Sequence, residues 1–269
     1  MGHFAGRLSG GVAAISCLAV PAGALAQAAP AAGAATEVET LIVTAQRRAE
    51  NLEKVPIAIS ALSGQDLETQ GVIGFADLGS RVPSLRFGAG VTGGENVITM
   101  RGLGSQNTTP GGDSPVAYNI DGVYVQRTTA IDPEFYDIDR IEVLRGPQGT
   151  LYGRNSVGGS INVIPNKPIN VFAASADAQF GDYADRVFRG WVNLPLFDRD
   201  GGAGIAARLT AVSARHDPYA TNLSTAPTAT HNQDAQDYWM VRGQLKIDFT
   251  PKARLLLSAS HSEARDPAA

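Results

Sequence analysis

The chain has 269 residues with 26 acidic and 22 basic side chains, a formal net charge of −4, so no basic field marks nucleic acid as a partner. Its single cysteine excludes an intrachain disulfide framework, and its length suffices for one or two domains with a real core. These totals average over segments of very different texture.

Residues 1–26 read as an export signal. Arg7 supplies the positive start, Gly11 to Val20 the apolar run, and Ala24-Leu25-Ala26 the small-residue cleavage site. The run is shorter than the roughly 20 residues of a membrane-spanning helix. Cys17 lies inside it and leaves with it, so the mature chain holds no thiol for a disulfide, a thiolate metal site or a cysteine nucleophile. An exported chain without a helical span is either soluble or a β-barrel.

Residues 27–50 form a linker. Gln27 to Thr36 is almost wholly Ala, Gly and Pro, a flexible tether. The β-prone stretch Glu39 to Ala45 follows, then the polar cluster Gln46 to Asn51, with no sheet nearby in sequence. That stretch is either the first strand of the next domain or a strand that pairs with another protein by edge addition.

Residues 51–168 have α/β texture. Val55 to Ser60 reads as a strand. Ser63 with Asp66 forms a capping box that opens a short helix ending before Gly71. A second helix carries Phe75, Ala76, Leu78 and Val82 and stops at Pro83. Val97 to Arg101 is a strand. Val116 to Ile120 and Val123 to Val125 flank the hairpin signal Asp121-Gly122. Ile138 to Leu144 and Ile161 to Ile164 complete a small mixed sheet.

From residue 169 to 269 five segments alternate apolar with polar residues. They are Phe172 to Phe180, Phe188 to Leu196 (with Trp191 out of phase on the polar side), Ile205 to Ala211, Trp239 to Phe249 and Leu255 to Ala259. Each is about ten residues long, the length of a tilted transmembrane strand. One such segment would also suit a soluble sheet, but five in succession behind an export signal point to a barrel wall. The connectors 198–202 and 250–252 are short and 216–237 is long and polar, as a barrel with periplasmic turns and outer loops requires.

No motif carries reaction chemistry. Gly153 to Ser160 nearly matches a phosphate-binding loop, but Gly159 stands where lysine is needed and the run leads into a strand. His216, His231 and His261 have no metal-ligand spacing. The acids Asp132, Glu134, Asp137 and Asp139 read as turn caps facing solvent. No cofactor, metal site or catalytic set is expected.

Four blocks, in order, carry a family resemblance: LIVTAQRRAENLEKVPIAISALSG from Leu41, ITMRGLG from Ile98, VAYNIDGVYV from Val116, and IDRIEVLRGPQGTLYGRNSVGGSINVIPNKP from Ile138. Together they resemble the TonB-dependent receptors of the outer membrane. The resemblance implies an α/β plug domain (small mixed sheet with short helices) followed by the first ~5 antiparallel strands of a transmembrane β-barrel, which in the family has roughly 22. It implies a TonB box at Thr40, Leu41, Ile42, Val43, Thr44 and Ala45, hanging into the periplasm and pairing with TonB, so that force shifts or partly unfolds the plug. Arg101 and Arg145 would contact the barrel wall or lock the plug through carboxylates; as strand-end residues they would equally suit an ordinary surface. Gly102, Gly146, Gly149, Gly153, Gly158 and Gly159 would form the plug turns.

The implied ligand is a ferric siderophore, or else cobalamin, a carbohydrate or an aromatic compound. Outer-membrane lipid would surround the wall. No extra signalling domain fits before the box. Five strands cannot close a barrel, and an open wall exposes an apolar face and an unpaired edge, so the chain is expected to be the N-terminal portion of a longer receptor. An exported plug-only binding or interaction module, or a nonfunctional fragment, with no transport activity, is the alternative.

Overall fold

Two five-stranded sheets organise the chain, one for each texture of its sequence. The computed structural model describes residues 42–43, 50–51, 55, 57–89, 96–104, 113–126, 135–199, 203–221, 232–233 and 235–265. The export signal, the tether and residues Thr40, Leu41, Thr44 and Ala45 lie outside the described residues.

In the α/β domain the strands are β1 (Ile42–Val43), β2 (Glu50–Asn51), β3 (Ile59–Ser63), β4 (Leu85–Ala89), β5 (Asn96–Met100), β6 (Val116–Ile120), β7 (Val123–Tyr124), β8 (Ile138–Arg145) and β9 (Gly159–Pro165). The helices are α1 (Gly64–Thr69), α2 (Phe75–Arg81) and α3 (Gly149–Tyr152). The sheet order is β3-β8-β9-β6-β7, parallel only between β6 and β9. At α1 the expected capping box forms: Asp66 N donates to Ser63 Oγ at 3.1 Å and Ser63 N to Asp66 Oδ2 at 3.0 Å. Asp77 does the same work for α2, accepting from the backbone of Ile73 and Gly74.

Alternation along these strands separates two faces. Leu62, Ile141, Val143, Ile161, Val163 and Tyr118 face α1 and α2, where Leu67, Phe75 and Leu78 close the main core. Full burial of each such side chain stabilises by roughly 1.5–3 kcal/mol. The opposite face is mixed. Ile59, Ala61 and Leu144 pack there with Val43, Val55 and Tyr152, beside buried Glu142, Asn162, Asn119 and Ser160.

Three elements differ from the sequence expectation. The strand expected from Val55 begins at Ile59. The strand β4 was not foreseen: Leu85-Arg86-Phe87-Gly88-Ala89 alternates, but over only five residues and with Gly88 among them, and its pairing with β5 and its packing on α2 secure it. The polar stretch before Asn51 is not simply a linker, since Glu50 and Asn51 pair back on Val43 and Ile42.

The second sheet contains β10 (Ala173–Phe180), β11 (Arg186–Arg199), β12 (Ala203–His216), β15 (Gln236–Thr250) and β16 (Ala253–Ala264), antiparallel throughout. Two-residue strands β13 (Ala220–Thr221) and β14 (Asn232–Gln233) pair within the long connector. The main strands outrun the expected ten residues, reaching 14 in β11 and β12 and 15 in β15. At about 3.3 Å per residue a strand of this length reaches ~46 Å, or about 33 Å along a normal tilted by ~45°. The alternation marked only the part that matches a hydrocarbon layer.

The orientation of this sheet is the reverse of a soluble one. On β12 the polar Arg208 is 6% exposed and Thr210 fully buried, whereas Leu209 between them is 50% exposed. The same holds on β15, where Arg242 and Gln244 are buried and Val241 is open. The polar face is covered by the α/β domain, and Phe188, Leu194, Leu209 and Leu257 point away from it. Among the described residues no helix is long and apolar enough to cross a membrane.

Gly159 shows how tightly the α/β domain closes. Its φ is +152°, and a Cβ there would collide with Met100 Sδ and the Leu144 carbonyl oxygen. We expect Gly159→Ala to destabilise the domain by about 1–3 kcal/mol, read as a lower urea midpoint; an unchanged midpoint would contradict the packing.

Candidate functional site

Two features set this molecule apart from a plain two-sheet scaffold: a short N-terminal strand docked by one side chain, and a buried ionic anchor between the domains. In β1, Ile42 is 56% exposed while Val43 is fully buried. Val43 packs with Val55 and Leu144, against Ile57, Ile59 and Tyr152. Of the two described residues of the expected box, Val43 is thus docked on the plug and Ile42 presents itself outward.

The anchor centres on Asp137, just before β8. Its side chain is wholly buried and its φ is +57°, a left-handed conformation that Asp tolerates better than most residues. Arg208 of β12 grips it with both arms, Nε to Oδ2 at 2.9 Å and Nη2 to Oδ1 at 2.5 Å. Thr210 Oγ1 donates to the same carboxylate. Arg242 of β15 lies 3.6 Å from Oδ2 and donates to the carbonyl oxygens of Tyr136 (3.1 Å) and Asp137 (3.0 Å). Asn166, just past β9, donates through Nδ2 to Oδ1 at 3.0 Å. Bidentate, charge-assisted bonds of this kind fix orientation as well as energy.

The surroundings reinforce it. The Arg208 guanidinium stacks over Trp191, 3.9 Å from the ring centroid, which explains why Trp191 sits on the polar side of its strand. Tyr136 packs against Val187, Val212, Ala214, Tyr238 and Met240 of the wall. Burial, helped by the Asp177 carboxylate, pushes the Tyr136 phenol up to about 12. Farther along, the connector after β9 is stitched to β11. Asn193 accepts from Ile169 N at 3.0 Å and donates to the carbonyl oxygens of Ile169 (2.8 Å) and Val171 (2.6 Å).

Asp137 corrects the sequence reading, which placed it in solvent as a turn cap; Asp139, its expected companion, is exposed. Arg208 and Arg242 in the polar phase of their strands were the available signal, because two inward arginines require a carboxylate. Nothing local identified which one. Arg101, at φ +52°, is exposed, its Nη1 lying 3.2 Å from where a Cβ on Gly146 would sit. Arg145 holds the Ala58 carbonyl through its backbone, and its Nε is buried with no hydrogen-bond acceptor. Among the described residues neither forms an ion pair, so the observed plug-to-wall lock is built from other residues. Gly102, Gly146, Gly153 and Gly159 have positive φ, Gly158 is crowded by Leu103, Pro115 and Val116, and Gly149 opens α3 in open space. Among the described residues no group of His, Cys, Asp and Glu could hold a metal ion.

Comparison with known proteins gives a consistent picture. The family model of the TonB-dependent Receptor Plug Domain matches residues 51–160. An iron-regulated outer membrane virulence protein of Vibrio cholerae is 36% identical over 137 residues, 48% of this chain and 20% of that protein. The catecholate siderophore receptor Fiu of Escherichia coli is 30% identical over 174 residues, 58% of this chain and 21% of that protein. This chain thus spans about a fifth of the length of these relatives. In fold it is similar to the ferric yersiniabactin uptake receptor FyuA from Yersinia pestis, with a TM-score of 0.64 at 21% identity over 77% of this chain and 31% of that one.

Two outcomes follow from the anchor. Asp137→Asn keeps the shape and the left-handed backbone but removes the charge facing Arg208 and Arg242. Breaking a buried pair from one side costs about 3–5 kcal/mol, so the α/β domain should become sensitive to protease at lower urea, and adding Arg208→Met should recover part of the loss. For Tyr136 the folded value lies above the ordinary 10.0. Its contribution is therefore complete below pH 10 and is lost as pH rises through about 12. Titrating stability across that window should show a step in the parent that Tyr136→Phe lacks.

Proposed function

Since this chain belongs to the TonB-dependent receptors, we propose that it serves energised uptake of a scarce ligand through the outer membrane, its plug gating a barrel and its box coupling to TonB. The observation that carries this reading is the inverted sheet. A sheet with one face covered by a separate domain and an apolar face turned outward suits part of the wall of a plugged barrel in lipid, which would need a partner to open it. Outer-membrane lipid would meet Phe188, Leu209 and Leu257 on the outward face, and the N-terminus would lie in the periplasm.

The ligand we propose is a ferric siderophore, since the Escherichia coli relative is named a catecholate siderophore receptor. TonB would add its strand along the segment of Ile42, whose residue surface is 56% exposed and which is not part of the plug core. Arg101 and Arg145 are proposed to meet carboxylates of the barrel wall. Their part in the lock is separate from that of Asp137.

Proline at Ile42 removes an edge N–H and bends the strand while leaving Val43 in place. We expect Ile42→Pro to weaken capture by the periplasmic domain of TonB at least tenfold (about 1.4 kcal/mol or more), with Ile42→Thr close to the parent. Undiminished capture of the proline variant would remove this segment from the coupling role.

A further inference from the structure

We propose that the plug holds a small peptide-binding site, distinct from the uptake and coupling roles: a polar cavity at the Asp121-Gly122 turn whose buried amide, Asn162, pairs with the peptide group of a short zwitterionic ligand.

The cavity measures about 270 Å³ and is lined by Asp121, Arg140, Tyr152, Asn162, Ile164 and Lys167. Register explains why these residues meet. Asn162 lies between Glu142 of β8 and Asn119 of β6, Ile164 stands opposite Arg140, and Asp121 begins the turn that follows β6. The Asp121 N–H donates to the Val163 carbonyl oxygen at 2.9 Å, which holds the turn beside β9. The space is far larger than one ordered water requires.

Asn162 is 5% exposed, yet its Oδ1 accepts no hydrogen bond and its Nδ2 donates none among the described residues. A neighbour in the same row shows that the fold can satisfy such a group, since Asn119 Nδ2 donates to Ser160 Oγ at 2.9 Å. A buried amide left unpaired costs stability that an apolar residue would not. Its two free ends select a partner. A carboxylate would satisfy Nδ2 but set its own charge against Oδ1, and an ammonium would satisfy Oδ1 alone. A peptide group answers both, giving its N–H to Oδ1 and accepting from Nδ2 through its carbonyl oxygen.

The rim suits the ends of such a ligand. Arg140 is already held by Glu142 at 2.8 Å and by Asp139. At the mouth, Lys167 Nζ and Asp121 Oδ1 stand 3.6 Å apart, with side chains 51% and 31% exposed, a loose pair of little worth. A ligand with both charges of its own can insert there, carboxylate to Lys167 and ammonium to Asp121. Ile164 and Tyr152 add apolar surface for small side chains only. Together these features describe a dipeptide.

Titration calorimetry on the full-length receptor tests this with two compounds of similar length and identical end charges. Glycylglycine should bind saturably, whereas δ-aminovalerate, in which methylenes replace the peptide group, should bind at least tenfold more weakly. Asn162→Val should lose that preference and leave the urea midpoint of the ligand-free plug equal to the parent's or higher. Equal binding of the two compounds to the parent would reduce the site to its rim charges and overturn the proposal, as would binding of neither. A lower midpoint in Asn162→Val would show that the amide has a structural partner, and would overturn it as well. None of these outcomes bears on capture by TonB, so the coupling role stands or falls separately.

Discussion

A carboxylate with no access to water organises this molecule. Asp137 is surrounded by Arg208, Arg242, Thr210 and Asn166, and each of these groups would be costly to bury without the others. The arginines belong to the wall, and the acid and the amide to the plug. Neither domain can therefore complete its own polar interior, and the two must meet in one register. Tyr136 and the stack of Arg208 on Trp191 follow from that meeting, since both fill the space that the ion pair leaves around itself.

The second sheet depends on the same meeting. Its inward face carries the buried polar residues Arg208, Thr210, Arg242 and Gln244 beside the apolar patch of Val187, Val212, Ala214, Tyr238 and Met240 that meets Tyr136. Its outward residues are apolar and have no protein cover. In water such a sheet would turn over; in hydrocarbon it is the favourable arrangement, because every backbone group between strands is paired and only the two faces remain to be matched.

Much of this was legible in the sequence, and the limits have physical causes. The capping box at Ser63, the Asp121-Gly122 hairpin and the phases of the late strands depend on neighbours a few residues away, and all appear where the pattern places them. Strand β4 and the back-pairing of Glu50 and Asn51 depend on contacts that local preference does not encode. The anchor was half visible. Inward arginines at 208 and 242 demanded an acid, but Asp137 is 71 residues from the first and looks in isolation like any acid at a turn. The docking of Val43 was hidden for the opposite reason, since a single valine in a β-prone run carries no mark of burial.

The carboxamide of Asn193 bears on how such a machine could move. With three bonds to the backbone of residues 169 and 171, it makes the joint between the two domains stiff where a loose linker would have been simpler. Asn193 and the residues around Asp137 fasten the plug to the wall through polar bonds, whereas the N-terminal strand β1 is held on the plug through the apolar side chain of Val43.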